Sequence, residues 1–309
     1  MSYEGQVLDA LGAIGVRAPG AYLWFGRRFE AGAGEPLTDV VAQRLRVDFL
    51  EPGAARPARR EPRAAGADAA SFAGALSHAN CGRGSWQPGW RVAGIEEEEV
   101  AVVRPDGLVL RAAPADCRVE GTLADVRMPK DLVGASPGVI EVLGDTAPAP
   151  GCTERARLSW NITAIGAVTL VARLTYALNQ AAIPFTLEVL DEPARYAGRP
   201  GAHLLLARSD VAAVRAMLKP LLRALGAHLS DGAPAFSKPL SRGLALVEEP
   251  GGGETFGAHR CRLLAEAIIA AGDAVDARLV AVHERFADAQ ISLDAPYLQP
   301  GSIDAYDGS

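Results

Sequence analysis

"ARLSWNITAIGAVTLVARLTYALNQAAIPFTLEVL" spans residues 156–190, and its reading decides the fold. It opens as a strand candidate, "ARLSWNI". It continues as a helix, "TAIGAVTLVARLTYALNQA", with Ile165, Val168, Val171, Ala172 and Leu178 near one face. It ends in a second strand candidate, "IPFTLEVL". Beyond the loop "DEPARYAGRPG" comes a third, "AHLLLAR". Ser209 is then expected to cap the helix "DVAAVRAMLKPLLRALGA", which Pro220 is expected to kink or split. A strand "GLALVEE", a Gly-rich loop, a helix to about Ala271 and a last helix "DARLVAVHERFADA" follow. Strands and helices alternate without the regular spacing of a doubly wound sheet. The expected class is therefore α+β, a mixed sheet with flanking helices.

Upstream, residues 5–14 and 38–50 read as helices, the second with Thr38 as N-cap and Val40, Val41, Leu45 and Phe49 at helical spacing. "EPGAARPARREPRAAGADAA" (51–70) has almost no large apolar residue and reads as a mobile loop. In "VAVVRPDGLVLRA" two β-branched runs flank Pro105-Asp106-Gly107, which is hairpin chemistry. Trp86 and Trp90 read as packing anchors. "GDTAPAPGCTE" (144–154) reads as a second linker. These signals divide the chain into an N-terminal helical and hairpin region (1–143), a C-terminal α+β region of catalytic type (151–293) and a flexible tail (294–309).

Composition narrows the function classes. The 309 residues are 49% hydrophobic, ample for a core, and the net charge of −6 argues against general nucleic-acid binding. "MSYEGQVLDALGAIG" has neither a basic start nor a long apolar run, and no stretch of about 18 apolar residues occurs. A cytoplasmic protein with no membrane span is expected. Cys81, Cys117, Cys152 and Cys261 form no CxxC pair, so reduced thiols are expected rather than a zinc site or redox pair. No GxSxG elbow, HExxH helix or Walker loop is present.

Three constellations could carry chemistry. In "PGGGETFGAHRCRLLAEAII" (250–269) a Gly-rich loop launches a helix, whose free N–H groups favour anions. Arg260 adds a fork suited to phosphate oxygens, and His259 stands beside it. In "FSKPLSRGLALVEEP" (236–250) Lys238 and Arg242 flank a turn. Only three of the 31 basic residues are lysines, and a lysine near other cations can become a general base. Arg157 and Asn161 in "RLSWN", with Tyr196 and Arg199 in "RYAGRPG", form a third set at strand ends.

Together "IPFTLEVLDEPARY", "HLLLA", "FSKPLSRGLALVEEP" and "GGGETFGAHRCRLLAEAI" resemble the HopA-type type III effector family. The chain is most similar to its actinobacterial branch, found with class V lanthipeptide and thioamitide biosynthesis. "ALSHANCGRGSWQPGWRV" and "RLSWNI" fit that branch too. The resemblance implies a lyase that eliminates phosphate from phosphoserine or phosphothreonine in a ribosomal precursor peptide, leaving dehydroalanine or dehydrobutyrine. It implies as partners that precursor peptide, a separate Ser/Thr kinase of aminoglycoside-phosphotransferase type and a cyclase, with no metal or organic cofactor. Lys238 would be the base and His259 the acid. Arg242, Arg260 and the helix start after Thr255 would hold phosphate, with Arg157 and Arg199 in the same pocket and Tyr196 and Glu249 positioning the others. Two departures stand out: Glu188 occupies a position where the family carries Lys, and "YAGRPGA" lacks the family's Asp. They admit a second reading, a non-catalytic subunit that binds the precursor or scaffolds the kinase and cyclase.

Overall fold

The computed structural model describes residues 2–18, 20–50, 67–105, 107–149 and 151–306. Helix α1 (Tyr3–Ala13) starts at Ser2, whose hydroxyl accepts from Gly5 N at 3.1 Å. A three-stranded antiparallel sheet follows: β1 (Ile14–Ala18), β2 (Ala21–Trp24) and β3 (Arg27–Glu30). Helix α2 (Leu37–Leu45) begins one residue before the expected cap Thr38. Pro36 occupies the N-cap instead, and a π-helical turn at Arg46–Leu50 ends the segment. Of the expected mobile loop, residues 51–66 lie outside the described residues, and α3 (Ala67–Ala79) takes up its end.

A five-stranded antiparallel sheet comes next. Its strands are β4 (Trp86–Ile95), β5 (Val100–Val103), β6 (Val109–Ala112), β7 (Cys117–Glu120) and β8 (Leu123–Arg127), in the order β6-β5-β4-β8-β7. The expected hairpin is β5–β6, although Asp106 in its turn lies outside the described residues. Trp90 is fully buried with Val100, Val102, Ala124 and Val126 in a small separate core.

The largest sheet has seven strands. They are β9 (Asp131–Ser136), β10 (Val139–Leu143), β11 (Arg155–Trp160), β12 (Thr186–Leu190), β13 (Ala202–Ala207), β14 (Lys238–Ser241) and β15 (Leu244–Glu249). Their order is β14-β15-β11-β13-β12-β10-β9, and every pair is antiparallel. β9 and β10 precede the boundary expected at residues 143–151, so that loop joins strands of one sheet rather than two regions. The remaining helices are α4 (Ala164–Gln180), α5 (Val211–Leu225), α6 (Phe256–Ala271) and α7 (Val275–Asp288). The fold is a mixed α+β arrangement.

Thr163 caps α4, accepting from Gly166 N at 3.2 Å. The helix buries Ala167, Leu170, Val171, Leu174 and Leu178. Ile165, expected on the core face, is 73% exposed, because the buried stripe runs through Gly166 and Leu170 instead. Pro220 does not split α5. The helix runs through it, and its buried face of Val211, Val214, Leu218, Leu221 and Leu225 outweighs the lost backbone bond. Ser209 lies in a 3-10 turn ahead of α5 and is not its cap.

The tail also differs from expectation. Residues 294–306 are docked rather than flexible: Tyr297 and Tyr306 are buried and join the main core. Residues 307–309 lie outside the described residues. Among the described residues no helix is long and apolar enough to cross a membrane, and no cluster of His, Cys, Asp or Glu could hold a metal ion. The four cysteines are free thiols.

Candidate functional site

Directly opposed residues of an antiparallel pair share a face, so register sorts the seven-stranded sheet. Ala156, Leu158, Leu187, Val189, Leu204 and Leu246 lie on one face and are all fully buried. The other face carries chemistry. Arg157 opposes Leu205 and Val247, Ser159 opposes His203, His203 opposes Glu188, and Arg155 opposes Glu249. The alternation of β11 thus sends its two arginines and its serine away from the core.

This polar face floors an open cavity of about 360 Å³. Arg155, Arg157, His203 and Glu188 line its floor, and the 250–255 loop forms its rim. That volume lies in the range occupied by small ligands. Gly252 (φ +79°) and Gly253 (φ +86°) are left-handed. A Cβ at either would meet nothing within 4 Å, so the backbone turn and not crowding requires glycine there.

The start of α6 is already engaged. Thr255 Oγ1 accepts from Ala258 N at 3.3 Å, and Glu249 Oε2 accepts from Phe256 N at 2.8 Å. Glu249 Oε1 lies 2.7 Å from Arg157 Nε, an ion pair that is close but not aligned as a hydrogen bond. One carboxylate therefore bridges the floor arginine and the helix N-terminus. Glu254 on the rim is held by Arg262 through two contacts of 3.1 Å, which keep its carboxyl below the usual range. Arg155 differs: among the described residues its guanidinium makes no hydrogen bond or ion pair.

His203 Nδ1 lies 2.8 Å from Ser159 Oγ. Burial, then the Arg157 and Arg199 cations, push its pKa down to about 3, so the ring is neutral at ordinary pH. Arg199 is itself buried and donates from Nε to Arg195 O at 2.6 Å.

The residues singled out from sequence thus divide. Arg157, Glu249, Thr255 and the three glycines line the cavity, and Arg199 does not. Lys238 does not reach it. It opposes Leu246, on the buried face, and its Nζ binds the Asp304 carboxylate and lies 3.4 Å from Tyr297 Oη. A lysine so paired is turned away from the pocket, so it is not placed to act as the base there. Arg242 pairs with exposed Asp231 at 3.2 Å, at the far end of β15, about 17 Å of strand from Glu249. Arg260 is fully buried and donates to Pro296 O at 2.8 Å and Leu298 O at 2.7 Å. Its fork is spent on the tail, not offered to phosphate, and burial lowers its pKa to about 10. His259 Nδ1 must accept from Arg260 Nη1 at 2.6 Å, because a guanidinium only donates. Burial and that cation lower its pKa to about 4, which makes it a poor acid at neutral pH. Tyr196 is buried, and its hydroxyl donates to Leu190 O at 2.7 Å.

Sequence reasoning missed His203 and Arg155. The signal was strand parity: in "AHLLLAR" the histidine falls out of phase with the buried Ala202, Leu204 and Leu206, and in "RARLSW" both arginines do so too.

An antiparallel sheet with one polar face, closed at one end by a glycine turn into a helix, defines an α+β protein with a charged surface pocket. The particular lineage follows from comparison. The chain belongs to the HopA1 effector protein family, whose model matches residues 133–298, more than half of its length. A solved effector protein from Pseudomonas syringae pv. tomato strain DC3000 shares the fold. Its TM-score is 0.50 at 14% identity, with 85% of this chain and 96% of that chain covered. The effector protein from Pseudomonas syringae pv. syringae strain 61 aligns with a TM-score of 0.47 at 13% identity, over 85% of this chain and 96% of that one. No curated protein sequence matches the chain.

Proposed function

We propose that this protein is a phosphoserine/phosphothreonine lyase acting on a ribosomal precursor peptide of lanthipeptide type, after phosphorylation by a separate Ser/Thr kinase of aminoglycoside-phosphotransferase type. A cyclase would consume the dehydrated product. The observation that carries the reading is Arg155: a cation whose guanidinium has no hydrogen-bond or ion-pair partner among the described residues, on the floor of a cavity that also holds Arg157 and the glycine turn. β-Elimination needs cations or amide N–H groups to hold the departing phosphate, and a nearby group to take the α-proton. The cavity is small and open, which suits a side chain presented by a peptide rather than a large cofactor, and the reading requires none.

A second reading is favoured by Glu249. Its carboxylate already occupies the place between Arg157 and the α6 start where a phosphate would sit. A chain whose anion slot is filled from within could bind the precursor without catalysis, as a subunit of the kinase–cyclase complex. One experiment separates the two. Synthetic phosphothreonine peptides are incubated with and without the protein, with the kinase supplied to a parallel sample, and analysed by mass spectrometry. Loss of phosphoric acid dependent on this chain supports the lyase. Peptide binding without mass loss supports the subunit.

A further inference from the structure

We propose that His203 is the base that removes the α-proton in this pocket, its ring oriented by Ser159; the inference rests on the lyase reading above. Three observations carry it. First, placement: His203 lies on the cavity floor, and Ser159, His203 and Glu188 stand in one cross-strand row on β11, β13 and β12. Arg157 opposes Leu205, so His203 is its diagonal neighbour, about 7–8 Å away at Cβ. In a phosphorylated Ser or Thr the α-carbon stands three bonds from phosphorus. A phosphate on Arg155 and Arg157 thus turns its α-carbon toward the imidazole.

Second, tautomer: Nδ1 is committed to Ser159 Oγ at 2.8 Å, and Nε2 has no hydrogen-bond partner among the described residues. With Nδ1–H donating to Oγ, the Nε2 lone pair is left for substrate. Ser159 is a positioning residue, because it is buried and acts through the ring. Third, the other carboxylates of the cavity are engaged: Glu249 bridges Arg157 and Phe256 N, Glu254 holds Arg262, and Glu188 is not without a partner either.

The step balances. The Cα–H bond breaks and its proton goes to Nε2. The electron pair forms the Cα=Cβ bond, the Cβ–O bond breaks, and phosphate leaves with that bond's electrons. The imidazolium then returns its proton to phosphate or water.

The surrounding charges make the base conditional on substrate. The groups near His203 are Ser159 and Arg157 on β11, Glu188 on β12, Arg199 on the β12–β13 loop, and Glu249 at the end of β15. In the free protein, burial and the two arginines hold the ring's proton affinity low. A bound phosphate dianion offsets both arginines and raises it. Glu188 stands next in the row, on β12. An unphosphorylated Ser or Thr leaves the base weak.

The test has two arms. In the first, His203→Gln and Ser159→Ala are assayed on the phosphothreonine peptide across pH, with thermal melting as the fold control. The expectation is at least a 1000-fold loss for His203→Gln at unchanged melting temperature, and a displaced pH profile for Ser159→Ala that Ser159→Thr restores. In the second, His203 of the 15N-histidine-labelled full chain is titrated by NMR with and without inorganic phosphate, and its protonation midpoint is expected to rise by at least one pH unit. Elimination by His203→Gln within threefold of wild type overturns the base, as does a midpoint unmoved by saturating phosphate. Failure of the wild-type protein to eliminate overturns the lyase reading itself, and His203 as base with it.

Discussion

Lys238 and Asp304 are ion partners across 66 positions of chain, on the face of the sheet opposite the cavity. Tyr297 completes the contact by donating to the same Asp304 oxygen. Burial alone would raise the Asp304 carboxyl, but the bonds from Lys238 and Tyr297 outweigh it and hold it below its usual range. Two strand residues anchor the tail in this way. Glu248, also fully buried, accepts from Tyr306 Oη at 2.7 Å, Ser302 Oγ at 2.6 Å and Gln299 N at 2.8 Å.

Lys238→Met and Asp304→Asn should each lower the unfolding free energy, and the double variant should lose less than the sum. A coupling of about 1 kcal/mol is expected for a partly buried pair. Urea unfolding measures it. The stabilised fraction of Lys238→Met should still eliminate phosphate with the wild-type pH profile. Loss of elimination at unchanged stability would return Lys238 to the chemistry and remove its role as a tail anchor.

Arg260→Lys should be nearly as damaging as Arg260→Met. A guanidinium fork reaches Pro296 O and Leu298 O together, whereas an ammonium is a point charge on a flexible stem. Leaving buried carbonyls without donors costs roughly 3 kcal/mol. The check is the denaturation midpoint of both variants, alongside proteolysis of the tail, which should accelerate. A lysine variant as stable as wild type would mean that charge alone suffices there.

Arg155→Ala should behave in the opposite way. With no hydrogen bond or ion pair of its guanidinium to lose among the described residues, its melting temperature should stay within a degree or so of wild type. Binding of phosphothreonine peptide should fall about tenfold, near 1.4 kcal/mol, while the unphosphorylated peptide binds as before. Isothermal titration with both peptides reads the difference. Equal loss for both would mean that Arg155 contacts peptide backbone rather than phosphate.

Much of the fold was legible because it is written in local periodicity. The helix expected over 163–181 is α4 at Ala164–Gln180, and the strands at "LSW", "TLEVL", "HLLLA" and "LALVEE" all form. What failed was nonlocal. β14 is short and contains Pro239, so no alternation marks it, and the side of the sheet that Lys238 occupies is set only by pairing with Leu246. The tail looked unstructured because its apolar residues are sparse, yet Tyr297 and Tyr306 dock through partners far upstream. The glycine loop lines the cavity. That Glu249 already occupies its helix start depends on the junction between β15 and α6, which spacing alone does not reveal.

Stability should fall on mild acidification, and two histidines set the window. His203 and His259 have folded values near about 3 and about 4, against a reference of 6.5. The unfolded chain therefore binds protons that the folded chain refuses. The contribution of the neutral rings is complete above about pH 6.5 and is lost as pH falls through that window toward the folded values. Each such group adds a slope of at most about 1.4 kcal/mol per pH unit. Asp304 has the same sign at lower pH, because its carboxyl is also depressed, and its share is lost only below about 3.8. Unfolding free energies from urea titrations between pH 7.5 and 4.5 should thus hold level down to about pH 6.5 and decline below it in the wild type. His203→Gln and His259→Gln should each flatten the decline, and the double variant should flatten it further. A slope that is the same in all four proteins would show that neither ring is held neutral by the fold.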